Sequence, residues 1–271
     1  MNKEELTLQV FKEETAAALT CLSTDAPMPS FFKSLLIVRQ RLHAENEASD
    51  AIWHIVCGKL LLAGINEMAE TNPLWADILK SHYIDRMTMR GIAQKLGYDN
   101  RYRVDREQRK AIDRLAEILL AWEQNARQQQ VAQLLRSLDK EPTYDALFGA
   151  EEHVERLKQA LLAPDHAWLI AVTGLGGLGK TAVADQTIRQ IIPTLHFQQI
   201  VAVYLEPGNL PLANLRALLA RQLGLPAASE AETDRQIIQC LKSRPSLVFI
   251  DGFEDDISHL EQGLSKWANP S

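Results

Sequence analysis

Apolar residues recur at three- and four-residue steps through residues 1–125, without any strand-like alternation, and this periodicity predicts only helices there. The helices are expected near 4–22, 30–44, 50–70, 74–84, 88–96 and 104–122, with Pro27, Pro29 and the run Thr71-Asn72-Pro73 as breaks. The longest apolar stretch, from Ile52 to Ile65, is interrupted by His54 and Lys59 and is too short to span a membrane, so it predicts a core helix. From Glu123 the chain turns polar, with Gln128, Gln129 and Gln130 in a row, and one short apolar helix leads on to EPTYDALFG. A helical domain over 1–125, a linker over 126–146 and a second domain from 147 to 271 are therefore expected.

In the second domain, helical patterns alternate with short apolar runs, the sequence form of a parallel α/β sheet. Three strands are predicted: WLIAVT at 168–173, IVAVYL at 200–205 and SLVFID at 246–251, each uninterrupted as expected for strands covered on both faces. One intervening helix carries Leu212, Leu215, Leu219 and Leu223 on a single face, and the next is expected to open at a capping box of Thr233 and Gln236.

Composition narrows the class without changing this outline. A hydrophobic share of 46% with 24% charged residues is ordinary for a globular chain. A net charge of −6 provides no overall attraction to nucleic acid, so any such role must rest on a local patch. Cys21, Cys57 and Cys240 are odd in number and far apart, which argues against a disulfide framework or a zinc site and favours a reducing compartment. The first residues, MNKEELTLQVFKEE, mix charges instead of placing a basic region before an apolar one, so no signal peptide is expected and the chain is expected to be cytoplasmic, away from any membrane. The seven histidines have no ligand spacing and are assigned no chemistry. Met68, Met87, Met89 and Trp75 are expected to be core residues.

The candidate chemistry lies in GLGGLGKT, residues 174–181, which fits G-x-x-x-x-G-K-[ST] between a predicted strand and a predicted helix. Gly174, Gly176, Gly177 and Gly179, interleaved with Leu175 and Leu178, let successive backbone N–H groups face phosphate oxygens without side-chain collision. Lys180 can reach the β- and γ-phosphates as a point charge, and the Thr181 hydroxyl can ligate Mg²⁺. Such a loop also needs an acid at the end of an apolar strand to hold the Mg²⁺, and Asp251, closing SLVFID, fits. Glu254, three residues on, can polarise an attacking water or simply belong to an acidic helix cap. ATP or ADP with Mg²⁺ is the expected ligand.

Together, LFGAEEHVERL, VTGLGGLGKTAVA and SLVFIDGFED resemble the STAND class of P-loop NTPases, whose best-known branch is the NB-ARC proteins. The resemblance covers residues 147–271, and its most specific part is the Gly-x-Gly-Gly-x-Gly-Lys-Thr spacing at 174–181. It implies a signalling switch in which ADP holds a closed state, exchange for ATP opens it, hydrolysis is slow at most, and self-association or protein partners follow activation. Two positions depart from the class. Its Gly-Arg-Glu triplet is here Gly149-Ala150-Glu151, without the arginine of the adenine side, and the acid usual after the Mg²⁺ aspartate is here Gly252. The class continues with a sensor strand, a helical lid and a winged helix. An incomplete P-loop domain, ending after its Mg²⁺-binding strand and with a gap in its sheet, is accordingly expected behind the all-α domain.

Residues 74–120 resemble the helix-turn-helix of sigma-factor-like regulators, with TMRGIAQKLGY as the central stretch. Thr88 can cap a short helix whose Ile92, Ala93 and Leu96 face inward, and Gly97 supplies the turn before the next helix. Residues 81–114 hold nine Lys/Arg against five acids, a cationic excess in an acidic chain. Arg101, Arg103, Arg106 and Lys110, near the start of the second helix, are the candidate DNA contacts. A solvated basic helix of a protein adaptor has the same pattern, and a related motif ahead of STAND NTPases carries Ser and Thr that the run 99–106 lacks, so DNA-contacting and protein-contacting readings both stand. A transcriptional regulator whose nucleotide site is mainly structural is the alternative to a nucleotide switch.

Overall fold

The computed structural model describes residues 7–24, 26–43, 49–138, 141–142, 144, 147–163, 169–205 and 212–252. They form two compact units, divided between Gln128 and Gln129.

The first unit is all-helical: α1 (Leu8–Thr24), α2 (Ser30–Ser34), α3 (Leu36–His43), α4 (Asp50–Thr71), α5 (Pro73–Leu79), α6 (Met89–Lys95) and most of α7 (Arg101–Arg136). Its largest buried side chains include Phe11, Leu19, Phe32, Leu60, Ile65 and Leu115. The helix expected over 30–44 is broken at Leu35, whose backbone is extended at ψ 136°. The break is compensated from a distance. The backbone N–H groups of Leu36 and Ile37 both donate to the carboxylate of Glu123, at 3.1 Å each, so a side chain on α7 caps α3. Glu123 is fully buried and also pairs with Arg127 at 2.7 Å. It therefore belongs to the core, although in sequence it marks the start of a polar stretch. Close approach of α4 and α7 requires Gly64, since a Cβ there would fall 2.6 Å from the Leu115 side chain.

The helix α7 continues to Arg136, through the first half of the stretch expected as linker. Its last turns belong to the second unit, where Leu134 and Leu138 are buried beside Ile188, Ile191, Phe197 and Ile200. Gln130 donates to the Gln198 carbonyl at 2.9 Å, and the Tyr204 hydroxyl to the Leu138 carbonyl at 2.7 Å.

The second unit contains α8 (Glu151–Leu162), α9 (Lys180–Ile191), β1 (Gln199–Tyr204), α10 (Leu212–Gln222), α11 (Glu230–Lys242) and β2 (Ser246–Asp251). The two strands pair in parallel with Tyr204 opposite Asp251. Alternate residues face opposite sides. Ile200, Ala202, Leu247 and Phe249 pack with α9 and the end of α7, while Val201, Val203, Val248 and Ile250 pack with Leu215 and Leu219 of α10 and Ile237 of α11. Two expectations need correction. Of the three predicted strands, only those at 200–205 and 246–251 form: residues 169–173 pair with neither β1 nor β2, and from Ala171 onward they are exposed. An apolar run becomes a strand only where a neighbouring backbone takes up its N–H and C=O groups. The cap of α11 is Ser229, which accepts from the Glu232 N–H, and Thr233 is buried one turn inside. Ser229-x-x-Glu232 satisfies the same capping pattern four residues earlier.

Removing the buried cap should be costly, because two backbone N–H groups and the Arg127 guanidinium lose their acceptor together. Glu123→Ala is expected to lower unfolding free energy by about 2–5 kcal/mol, read as a reduced denaturant midpoint, whereas changing the exposed Gln124 to Ala should leave the midpoint within about 0.5 kcal/mol.

Candidate functional site: a glycine loop, a lysine and a paired threonine and aspartate

The glycine loop enters α9 through Gly179, at φ 77°, with Gly177 at 81° and Gly174 at 152°. These three need glycine for their backbone alone. Gly176 differs: its φ is not positive, and a Cβ there would meet no protein atom within 4 Å. Among the described residues nothing requires glycine at that position, and its bare backbone leaves room for a ligand to approach. Leu175 and Leu178 are 78% and 69% exposed, so neither side chain is packed into the core.

Lys180 opens α9, and its Nζ donates to the Gly174 and Leu175 carbonyls at 2.9 and 2.8 Å. The ammonium is thereby held against the loop itself. Thr181, one residue on, donates its hydroxyl to Asp251 Oδ1 at 2.8 Å across 70 residues of sequence. This hydrogen bond joins the helix N-terminus to the end of β2, so a hydroxyl and a carboxylate meet beside a cluster of backbone N–H groups. Two oxygens of this kind could serve as a hard-cation donor pair, and the loop with Lys180 could receive an anion. The residues present therefore fit a nucleotide phosphate chain and Mg²⁺: Gly174–Lys180 for the phosphates, Thr181 and Asp251 for the metal. Mg²⁺ there would supply charge neutralisation to the phosphates.

Rigidity comes from the buried face of α9, where Val183, Ala184, Thr187, Ile188 and Ile191 lie in the core. A second fastening was not evident in the sequence. The Tyr144 hydroxyl donates to Asp185 Oδ2 at 2.8 Å and to Gln186 Oε1 at 3.2 Å, and Asp185 also accepts from Arg189 at 2.7 Å. Burial first, and then the hydrogen bond and charge of Asp185, push the Tyr144 hydroxyl above its ordinary pKa. Its only sequence signal was an aromatic residue between polar neighbours ahead of α8.

Glu254 lies outside the described residues. At the departure noted above, Ala150 precedes α8 without any side-chain cap, Gly149 is left-handed at φ 71°, and Phe148 is 92% exposed. No group of His, Cys, Asp and Glu suited to a metal occurs among the described residues, and no described helix is long and apolar enough to cross a membrane. The three cysteines are free.

In the helical unit the structure places Arg101, Arg103, Arg106 and Lys110 on the exposed first turns of α7. The helix α6, capped by Thr88 through the Gly91 N–H, precedes them across a turn at Gly97 with φ 68°. Ile78, Ile92, Ala93 and Val104 bury the inner faces, with Met87, Met89 and Leu96 packed against them. The cations are less free than their count suggests. Arg101 lies 3.8 Å from Asp105, Arg106 3.5 Å and Lys110 3.0 Å from Glu107, and Arg103 sits over the Tyr98 ring at 4.3 Å. The Trp75 indole N–H, followed by Lys110, holds the Glu107 carboxyl below its usual range. Tyr102 stands among them, 73% exposed.

Residues 150–265 match the NB-ARC domain family. No curated protein and no solved structure gives a match. The match supports a nucleotide-binding P-loop NTPase of the STAND class for that part of the chain, and it suggests a switch.

Tyr144→Phe tests the second fastening of α9. Losing the hydroxyl should cost about 1 kcal/mol at pH 8. Because the folded hydroxyl titrates above the unfolded one, its contribution is complete below the unfolded pKa near 10 and is lost as pH rises through the higher folded value. The gap between wild type and variant in thermal melts should therefore narrow above roughly pH 10.

Proposed function

We propose that this chain is an ATP/ADP·Mg²⁺-binding signalling switch of the STAND/NB-ARC type, regulatory in role and at most a slow ATPase. The observation that carries this reading is the Thr181–Asp251 hydrogen bond at the mouth of the glycine loop. It brings the two expected Mg²⁺ donors together from opposite ends of the domain, at the N-terminus of the helix that opens with Lys180. In this reading the loop N–H groups and Lys180 hold the phosphates, and Thr181 and Asp251 hold the metal directly or through water. The energy of binding is available to shift the domain between states, because a ligand that contacts two separated elements favours the conformation in which both reach it. Self-association or a protein partner would then read the bound state.

A second activity is supported by the helical unit. The short helix α6, its glycine turn and the exposed cationic start of α7 have the order of a helix-turn-helix, and the placement of Tyr102 among arginines suits a nucleic-acid surface. The cations of the α7 ion pairs are exposed although the Glu107 carboxylate is only 14% exposed, so phosphates can reach the cations from the solvent side. We assign this face to duplex DNA through Arg101, Arg103, Arg106 and Lys110, with contact to a protein partner as the reading that remains if DNA does not bind.

Isothermal titration of the purified chain with ADP or ATP and Mg²⁺ should give saturable binding. Lys180→Ala should weaken it by roughly 10- to 100-fold, the loss of one charge-assisted phosphate contact. Equal affinity in both proteins would refute the phosphate site, provided thermal melts show both folded. Phosphate release should stay well under the roughly 1–100 s⁻¹ typical of kinases.

Fluorescence anisotropy should detect duplex binding at ~50 mM salt that weakens with a log–log slope near −0.9 per neutralised phosphate. Changing Arg103 and Arg106 together to Ala should flatten that slope by about two contacts. Absence of binding at low salt would reassign the helical unit to protein contact.

A further inference from the structure

The residue after Asp251 is a glycine in the left-handed region, Gly252 at φ 78°. The space around it sets it apart from the other left-handed glycines of the second unit. At Gly177, Gly179 and Gly224 a Cβ would meet nothing within 4 Å. At Gly252 it would overlap the Leu205 carbonyl oxygen, with the carbonyl carbon at 3.3 Å and the Leu205 nitrogen at 3.6 Å. The obstacle is backbone and cannot rotate aside.

Leu205 is also poorly placed to yield. Its N–H donates to the Asp251 carbonyl at 2.9 Å, one residue beyond the Tyr204–Asp251 pair, and its side chain is buried among Val201, Val203 and Leu215. A side chain at 252 would therefore displace the chain following Asp251, and Asp251 with it. A displacement of more than a few tenths of an ångström would break the 2.8 Å hydrogen bond from Thr181, since O–H···O bonds extend only to about 3.0 Å.

We propose that Gly252 is a positioning residue for Asp251: by passing closely over the Leu205 carbonyl it holds the Asp251 carboxylate on the Thr181 hydroxyl, at the metal end of the phosphate loop. This rests on the nucleotide reading above. It gives a physical reason for glycine where the resembled class carries an acid, since the backbone path that seats Asp251 leaves no room for a carboxylate at 252.

The test compares this chain as wild type, Gly252→Ala and Gly224→Ala by calorimetric titration with ADP, once in Mg²⁺ and once in EDTA, alongside ligand-free thermal melts. Gly224 has the same left-handed backbone at φ 67° without the crowding, and it lies at the end of α10, away from the loop. Wild type should bind ADP more tightly with Mg²⁺ than without, and Gly224→Ala should keep that ratio. Gly252→Ala should lose about tenfold of it, one charge-assisted contact, while its affinity in EDTA stays within about twofold of wild type. An unchanged ratio, or an equal fall in both conditions, overturns the role. Should Gly252→Ala give no cooperative melt, Gly252→Asn, better tolerated at left-handed backbone, takes its place. If neither folds while Gly224→Ala does, the glycine is purely structural and the proposal fails. A wild type that binds no ADP refutes the nucleotide reading itself, and one that binds ADP indifferently to Mg²⁺ refutes the metal site and with it the role of Gly252.

Discussion

The parallel pairing of β1 with β2 governs everything that the second unit can do. Its register sets Tyr204 opposite Asp251 and so fixes how far the carboxylate projects at the end of the sheet. Because side chains alternate across the strands, the same ladder also divides the core in two. Ile200 and Ala202 receive α9 and the end of α7 on one side, while Val201 and Val203 receive α10 and α11 on the other. A slip by one residue would exchange these faces and carry Asp251 away from Thr181. The apolar packing of α9 and the polar contact at its first turn thus depend on one pairing, which couples the stability of the unit to the geometry of its site.

Within that frame, the glycine loop is an open surface at the start of α9. Its side chains turn outward, its backbone is exposed, and its one cation is held by the loop's own carbonyls. The anchoring lies behind it, in the buried face of α9 and in Tyr144 with Asp185 and Arg189. Exposure and anchoring are therefore separated along a single helix: the first turn adjoins the loop, and the following turns face the core.

The helical unit uses long-range acids in a different way. Glu123 reaches from α7 to cap α3 in the interior, where an unsatisfied N–H is expensive, and it does so with a bidentate carboxylate that Arg127 neutralises. Glu107, itself only 14% exposed, performs the counterpart nearer the surface, accepting from Trp75 while drawing Lys110 and Arg106 toward itself. Its effect is to moderate the cationic face of α7 without abolishing it, since the Arg106 and Lys110 side chains remain exposed to other anions.

How much of this the chain's residues announce depends on the range of the interactions involved. The helices of the first unit, the Thr88 cap, the Gly97 turn, the glycine loop and the separate marking of Thr181 and Asp251 as candidate donors follow from local pattern, because periodicity, capping and φ preferences act over a few residues. The contact of Thr181 with Asp251 across 70 residues is made only by the fold. The break at Leu35 and the burial of Glu123 were hidden, as both arise from a contact 87 residues away that no local window contains. The same holds for 169–173, which have the composition of a strand and are not paired in one, and for Tyr144, whose role exists only once α9 is beside it. Gly252 joins the two levels. Its identity is plain in the sequence, but its necessity appears only when β1 brings the Leu205 carbonyl against it, because close packing of backbone on backbone is decided by the tertiary fold alone.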